Sequence, residues 1–163
     1  MTITCSRGGI DADAGRASMQ IQELTEANGA IADAGRLARA EGVHRQLRPA
    51  LPVDYVGKMR RVFAGGGRMC VAVDGDAVLG VAVYRLHENT ADGVKMYVDD
   101  LVTDEKSRSR GVGKALMDYL QALARKAGCD CYTLDSGTFR QQAHKFYFRE
   151  GMVITSFCFK KPL

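Results

Sequence analysis

The residues best placed to do chemistry lie in one stretch, Asp99-Asp100-Leu101-Val102-Thr103-Asp104-Glu105-Lys106-Ser107-Arg108-Ser109-Arg110-Gly111-Val112-Gly113-Lys114-Ala115-Leu116. An extended apolar segment enters a short basic loop, and two glycines then open a strongly helical sequence. The first amides of a helix have no intrahelical partners and sit at the positive end of its macrodipole. Glycines let a ligand approach that backbone closely, and Lys106, Arg108, Arg110 and Lys114 add positive charge around it. The pattern is that of a phosphate cradle. A Walker loop is excluded, because Arg108 stands where its first glycine is needed and Ala115 where its Ser or Thr is needed. A dinucleotide fingerprint is excluded as well, because Leu116 occupies the place of its third glycine.

The remaining pattern, Arg108-x-x-Gly111-x-Gly113, resembles the pyrophosphate signature of the GNAT superfamily, the acetyl-CoA-dependent N-acetyltransferases. A second match lies in LDSGTFRQQAHKFYFREGM, residues 134–152, where Ala143, Phe146, Tyr147 and Gly151 resemble the signature of the last GNAT helix, with Met152 where Phe is usual. The two matches come in the family's order, separated by a helix and a strand, and the resemblance covers roughly residues 19 to 159.

The resemblance implies an α/β (α+β) fold with a mixed, mostly antiparallel central sheet flanked by helices. It implies N-acetylation of a primary amine by acetyl-CoA, by direct attack in a ternary complex and without a metal. The cosubstrate's pyrophosphate would lie on the amides of Arg110, Gly111, Val112, Gly113, Lys114 and Ala115, beside Arg108. Its pantetheine arm would follow the backbone of Leu101, Val102 and Thr103, where a backbone amide would also meet the developing oxyanion. Tyr147 would lie near the sulfur and protonate the leaving thiolate, while Phe146 serves the core. Arg140 stands where many relatives carry Asn. The helix-loop-helix before the sheet would wall the acceptor pocket, with His44, Arg45, Gln46, Arg48 and Tyr55 as candidate contacts. A non-catalytic acyl-CoA-binding sensor or partner module is the alternative.

Asp99 and Asp100 are the candidate proton acceptors, since a carboxylate beside a thioester could attract and deprotonate an ammonium. Strand alternation assigns Tyr97, Asp99, Leu101 and Thr103 to one face and Val98, Asp100 and Val102 to the other. On that reading one carboxylate meets the cleft. Asp99, sharing a face with Tyr97, takes the catalytic role, and Asp100 is kept as a substrate contact.

The elements that must hold these groups are legible in outline. Residues 1–18 are glycine-rich and aperiodic and are expected to be a loose tail, which makes Met19 a candidate functional start; residues 19–163 form one domain. Met19 to Leu24 is a first strand, Glu26 to Arg45 holds one or two helices, and Val53 to Phe63 is another helix. Met69 to Val73 and Val78 to Leu86 flank an Asp-Gly turn and predict a hairpin. Val94 to Thr103 is the strand into the cradle. The following helix carries Val112, Leu116, Tyr119, Leu120, Leu123 and Ala127 and stops at Gly128. Cys129 to Leu134 is a short strand, Phe139 to Glu150 a helix, and Met152 to Phe159 a last strand.

Composition narrows the class further. The net charge of +4 is mild and partly concentrated in the cradle, so nucleic acid is not expected as principal partner. Five cysteines are an odd number, and Cys129-Asp130-Cys131 is too close for metal-finger spacing; reduced thiols are expected. No run reaches the length of a membrane span and the start lacks the apolar core of a signal peptide, which predicts a cytoplasmic protein without a membrane partner. The acceptor is expected to be a small-molecule amine or, second, a peptide amine. Pairing of two copies through the late strands, common in such folds, makes a homodimer the expected assembly if there is one.

Overall fold

The computed structural model describes residues 19–163, so the expected tail at 1–18 lies outside the described residues. The elements run β1 (Gln20–Glu23), α1 (Ala34–Leu47), α2 (Tyr55–Ala64), β2 (Arg68–Asp74), β3 (Ala77–Asn89), β4 (Gly93–Thr103), α3 (Val112–Lys126), β5 (Cys131–Leu134) and α4 (Gln141–Arg149). The five strands form one sheet in sequence order, antiparallel except for the parallel pair β4 and β5. This is the mixed, mostly antiparallel sheet that the resemblance implied.

Strand alternation sends side chains to two cores. On one face Val71, Val73, Val81 and Val83 pack against Leu37, Ala40 and Val43 of α1 and Tyr55, Met59 and Phe63 of α2. On the other, Ala72, Ala82, Met96 and Val98 pack against Val112, Leu116, Leu120 and Ala124 of α3. Burying each large aliphatic side chain contributes about 1.5–3 kcal/mol, so the helices are anchored mainly by these stripes. Caps set the ends. Asp33 accepts a hydrogen bond from the Arg36 amide at 2.8 Å, and Asp54 accepts one from the Gly57 amide at 2.8 Å. After α3, the Cys129 amide donates to the Ala124 carbonyl at 3.0 Å and the Gly128 amide to Arg125 at 3.1 Å, with Gly128 at φ 72°.

Two features position the site. A Cβ on Gly80 of β3 would stand 2.7 Å from Val112 and 2.9 Å from Leu116, so this glycine lets the first turn of α3 press against the sheet beside β4. The parallel pairing of β4 with β5 spans only Lys95–Val98 against Cys131–Leu134, whereas β4 pairs with β3 up to Thr103. Beyond Val98 one edge of β4 therefore has no strand partner, and the sheet opens into a cleft.

The expected strand at Met152–Phe159 does not form. A strand needs a ladder partner and a face to cover, and these residues have neither: Val153, Ile154, Phe157 and Phe159 are all exposed. The four cysteines among the described residues are free, and no helix there is long and apolar enough to cross a membrane.

Candidate active site

The cradle forms at the N-terminus of α3. Gly111 is its N-cap at φ 81°, a left-handed conformation that glycine adopts without strain, and this turn leads the basic loop into the helix. A groove of about 1070 Å³ runs past it, lined among others by Leu101, Val102 and Thr103 of β4, Arg108, Gly111 and Gly113 of the cradle, and Phe146 and Tyr147 of α4. The unpaired edge of β4 is thus one wall, and the glycine-opened helix closes the far end.

The groove narrows to a slot of about 100 Å³ whose walls include Asp99, Asp100, Ser136, Arg140 and Tyr147. Both carboxylates reach it because β4 is irregular. Val83 pairs with Asp100 and Tyr84 with Val98, leaving Asp99 as an extra residue. This bulge resets the alternation and overturns the expectation that only one of the two acids could face the cleft. Beyond it Leu101 joins the α3 core and Val102 the opposite core, and the Thr103 hydroxyl lies beside Gly113, so Leu101 and Thr103 do not share Asp99's face.

Each carboxylate has a fixed partner. Arg85 Nε donates to Asp99 Oδ2 at 2.8 Å. Arg48 Nε donates to Asp100 Oδ1 at 2.6 Å, and its other arm reaches the Asp99 carbonyl at 3.1 Å. Asp100 Oδ2 shares a 2.9 Å hydrogen bond with Nε2 of the buried His44, whose Nδ1 shares one of 3.0 Å with the Tyr55 hydroxyl. Tyr55 is itself buried and lies behind His44, which corrects its expected role as a substrate contact: it fixes the imidazole and does not line the pocket. Burial, reinforced by Glu41 and Asp100, raises its phenol pKa well above the ordinary value.

Tyr147, in α4, lines both slot and groove. Burial raises its pKa, opposed by Arg140, so the phenol stays a proton donor across the neutral range. Arg140 itself stands between slot and groove, stacked 5.3 Å from the centre of the Phe139 ring. The Ser136 hydroxyl is buried on the slot wall without a partner among the described residues. Nothing in its sequence neighbourhood announced it.

On the other side the slot opens into a cavity of about 700 Å³ between α1, α2 and β4. Arg48, Asp99 and Asp100 border it, as does Arg85. Lys58 and Arg61 of α2 also line it, and sequence reasoning passed over both. Their spacing held the signal, since positions 58 and 61 lie about one turn apart on the same helix.

Not all expected donor-side contacts reach the groove as side chains. Arg110 is exposed and does not line it and Val112 is buried in the α3 core, so these two can offer only backbone amides. Ala115 lies beyond its walls and its amide already donates to the Gly111 carbonyl at 2.9 Å, which removes it from the expected contacts. Lys114 does line the groove, but its ammonium donates to both Asp118 oxygens, at 2.8 and 2.9 Å, and lies 3.4 Å from Glu150. It ties α3 to α4, and these carboxylates raise its pKa. Gln46 is likewise engaged, with Asp104 and the Glu105 amide, and Arg45 with Glu41 and two loop carbonyls.

A splayed sheet that lays an unpaired strand edge and a glycine-opened helix end along one groove is the framework of an acyltransferase with a long, phosphate-bearing donor. The acetyltransferase (GNAT) family pattern matches residues 37–152, and the chain belongs to that family. It is an acyltransferase whose cosubstrate is acetyl-CoA. An uncharacterized N-acetyltransferase of Bacillus subtilis, YhdJ, is 38% identical over 96 residues, half of this chain and 68% of the relative. An aminoalkylphosphonate N-acetyltransferase of Salmonella typhimurium is 33% identical over 66 residues, 40% of this chain and 43% of that one. Among solved structures, an aminoglycoside N-acetyltransferase in complex with CoA, AAC(6')-Iy, superposes with a TM-score of 0.77 over 92% of this chain and 97% of its own, at 17% identity. That likeness is one of fold. The residues present fit the cosubstrate: the groove of about 1070 Å³ joins the β4 edge to the cradle, the cradle presents free helix amides at Gly111 and Gly113, and the β4 edge supplies unpaired backbone for an amide-bearing arm.

Proposed function

We propose that the chain acetylates the primary amine of a small molecule by direct transfer, with both substrates bound together. The observation that supports this reading is the slot itself, where Asp99, Asp100 and Tyr147 share one small space between a donor groove and a separate cavity. Acetyl-CoA supplies an acetyl group activated as a thioester. Asp99 and Asp100 draw a cationic amine to the slot, and Asp100, in place of the Asp99 expected from sequence, takes the ammonium proton, because His44 and Tyr55 stand behind it to steady the carboxylate or pass the proton on. The neutral nitrogen bonds to the acetyl carbon as the carbon–sulfur bond breaks, Tyr147 gives its proton to sulfur, and the second proton leaving the nitrogen restores the phenol through solvent. A backbone amide of Leu101 to Thr103 stabilises charge on the acetyl oxygen. Arg85 and Arg48 hold the two carboxylates in register without entering the reaction. A cavity of about 700 Å³ suits a small molecule better than a folded protein surface.

Tyr147→Phe tests the reading. Turnover with a small amine should fall about a hundredfold, while acetyl-CoA binding by calorimetry stays within about twofold of wild type. Undiminished turnover would remove Tyr147 from the mechanism, and no turnover of any small amine by the wild type would sink the acceptor assignment.

A further inference from the structure

We infer that the acceptor is an amine carrying an anionic group at its other end, and that Lys58 and Arg61 bind that group; the inference rests on the small-amine reading above. The charges around the acceptor cavity carry it. Six charged side chains line the cavity: Asp99 and Asp100, with Arg48, Lys58, Arg61 and Arg85. Arg48 is spent on Asp100 at 2.6 Å and Arg85 on Asp99 at 2.8 Å. That leaves Lys58 and Arg61, neither of which has a carboxylate within 4.0 Å among the described residues. The two lie three positions apart on α2, so their heads share one face of the helix. Asp54 precedes them but is turned back on the helix end, where it caps the Gly57 amide.

The cavity is therefore polarised. Its slot end holds two carboxylates, each balanced by one arginine, with Asp99 Oδ1 left without a hydrogen bond among the described residues to meet an ammonium, and its α2 wall holds two cations without a carboxylate partner. A molecule that fills it and presents its amine at Asp99 and Asp100 meets positive charge at its far side. Lys58 is half-buried and Arg61 exposed, so an uncharged tail would gain nothing from either cation, whereas a carboxylate or phosphonate would take charge-assisted hydrogen bonds from them. Arg61 offers a planar fork suited to two oxygens and Lys58 a point charge, a pair that serves either anion.

The test compares three acceptors of matched length: an ω-amino carboxylate, an aminoalkylphosphonate and an alkylamine ending in a neutral amide. For the wild type, kcat/KM for at least one anionic acceptor should exceed that of the neutral amine by about tenfold to a hundredfold. The two anionic arms distinguish carboxylate from phosphonate. In Lys58→Gln/Arg61→Gln that ratio should collapse towards one, and in Lys58→Glu/Arg61→Glu a diamine should become the preferred acceptor. Acetyl-CoA binding and the thermal midpoint of each variant verify that it is folded. Equal use of neutral and anionic amines by the wild type, or a preference that survives both double variants, overturns this inference and leaves the acetyltransferase reading standing. Absence of turnover with all three, together with other small amines, would overturn both.

Discussion

The two ends of the cleft are built from different materials. The donor groove is made of contiguous backbone: an unpaired strand edge at Leu101 to Thr103 and a helix N-terminus opened by Gly111 and Gly113, ten residues further on. The acceptor cavity is made of side chains brought from α1, α2, β3 and β4 and fixed by ion pairs across more than fifty residues of chain, such as Arg48 to Asp100. A backbone cradle recognises what every donor molecule shares and is broken only by filling it. A side-chain cavity recognises the particular acceptor, and single charges retune it.

The largest effect should come from filling the cradle. Gly111→Asp/Gly113→Asp places two negative charges where a pyrophosphate would lie, and acetyl-CoA affinity by calorimetry should fall at least about a hundredfold. The fold should survive, because a Cβ at Gly111 meets nothing within 4 Å and one at Gly113 makes only ordinary contacts, 3.4 Å from Thr103 Oγ1 and 3.7 Å from Phe146. Aspartate also tolerates the left-handed turn at position 111 better than most residues. Retained affinity in the folded variant would mean that the donor is held elsewhere.

A smaller effect should come from the acceptor side's buried support. Tyr55→Phe removes the hydroxyl that shares a hydrogen bond with His44 Nδ1 and leaves a buried polar atom unpaired, which costs about 1–3 kcal/mol of stability. If His44 steadies Asp100, kcat should drop severalfold as well, with acetyl-CoA affinity unchanged. A variant that loses stability but keeps its full kcat would confine Tyr55 and His44 to packing.

This difference in construction also explains what the sequence could disclose. The cradle and the Tyr147 helix are local patterns, so their residues, spacing and order sufficed to locate them. The acceptor side depends on geometry that no short window holds. The bulge at Asp99 is a register shift against β3, invisible without the partner strand, and it alone brings both carboxylates to one slot. The helical spacing turns Tyr55 inward with Met59, as the structure has them, but its hydrogen bond to His44 of another helix is beyond any short window. The stretch Met152–Phe159 has strand-like residues but no strand beside it. By contrast, the helical spacing of Lys58 and Arg61 was available and went unread, because a charged helix face is usually just solvated.

A third region should respond to neither ligand, which makes it the sharpest control. Glu23 of β1 lies on the α3 face of the sheet, where Oε1 accepts hydrogen bonds from the Tyr84 and Tyr119 hydroxyls at 3.0 and 2.9 Å while Oε2 is buried without a partner. Burial pushes its carboxyl pKa above 4.5, against the downward pull of the two tyrosines and Arg68. A carboxyl raised in this way binds its proton more tightly folded than unfolded, so its contribution is fully present below about pH 4.5 and is lost as the pH climbs through the folded value. Glu23→Gln cannot titrate. The difference in melting temperature, wild type minus variant, should therefore grow as the pH is lowered from 7 towards 4.5, with kcat/KM and acetyl-CoA affinity at pH 7 unaffected. A difference that is flat with pH would mean that Glu23 titrates alike in both states. A change in either readout would mean that the α3 face communicates with the cleft, a coupling that the separation of donor backbone from acceptor side chains does not provide for.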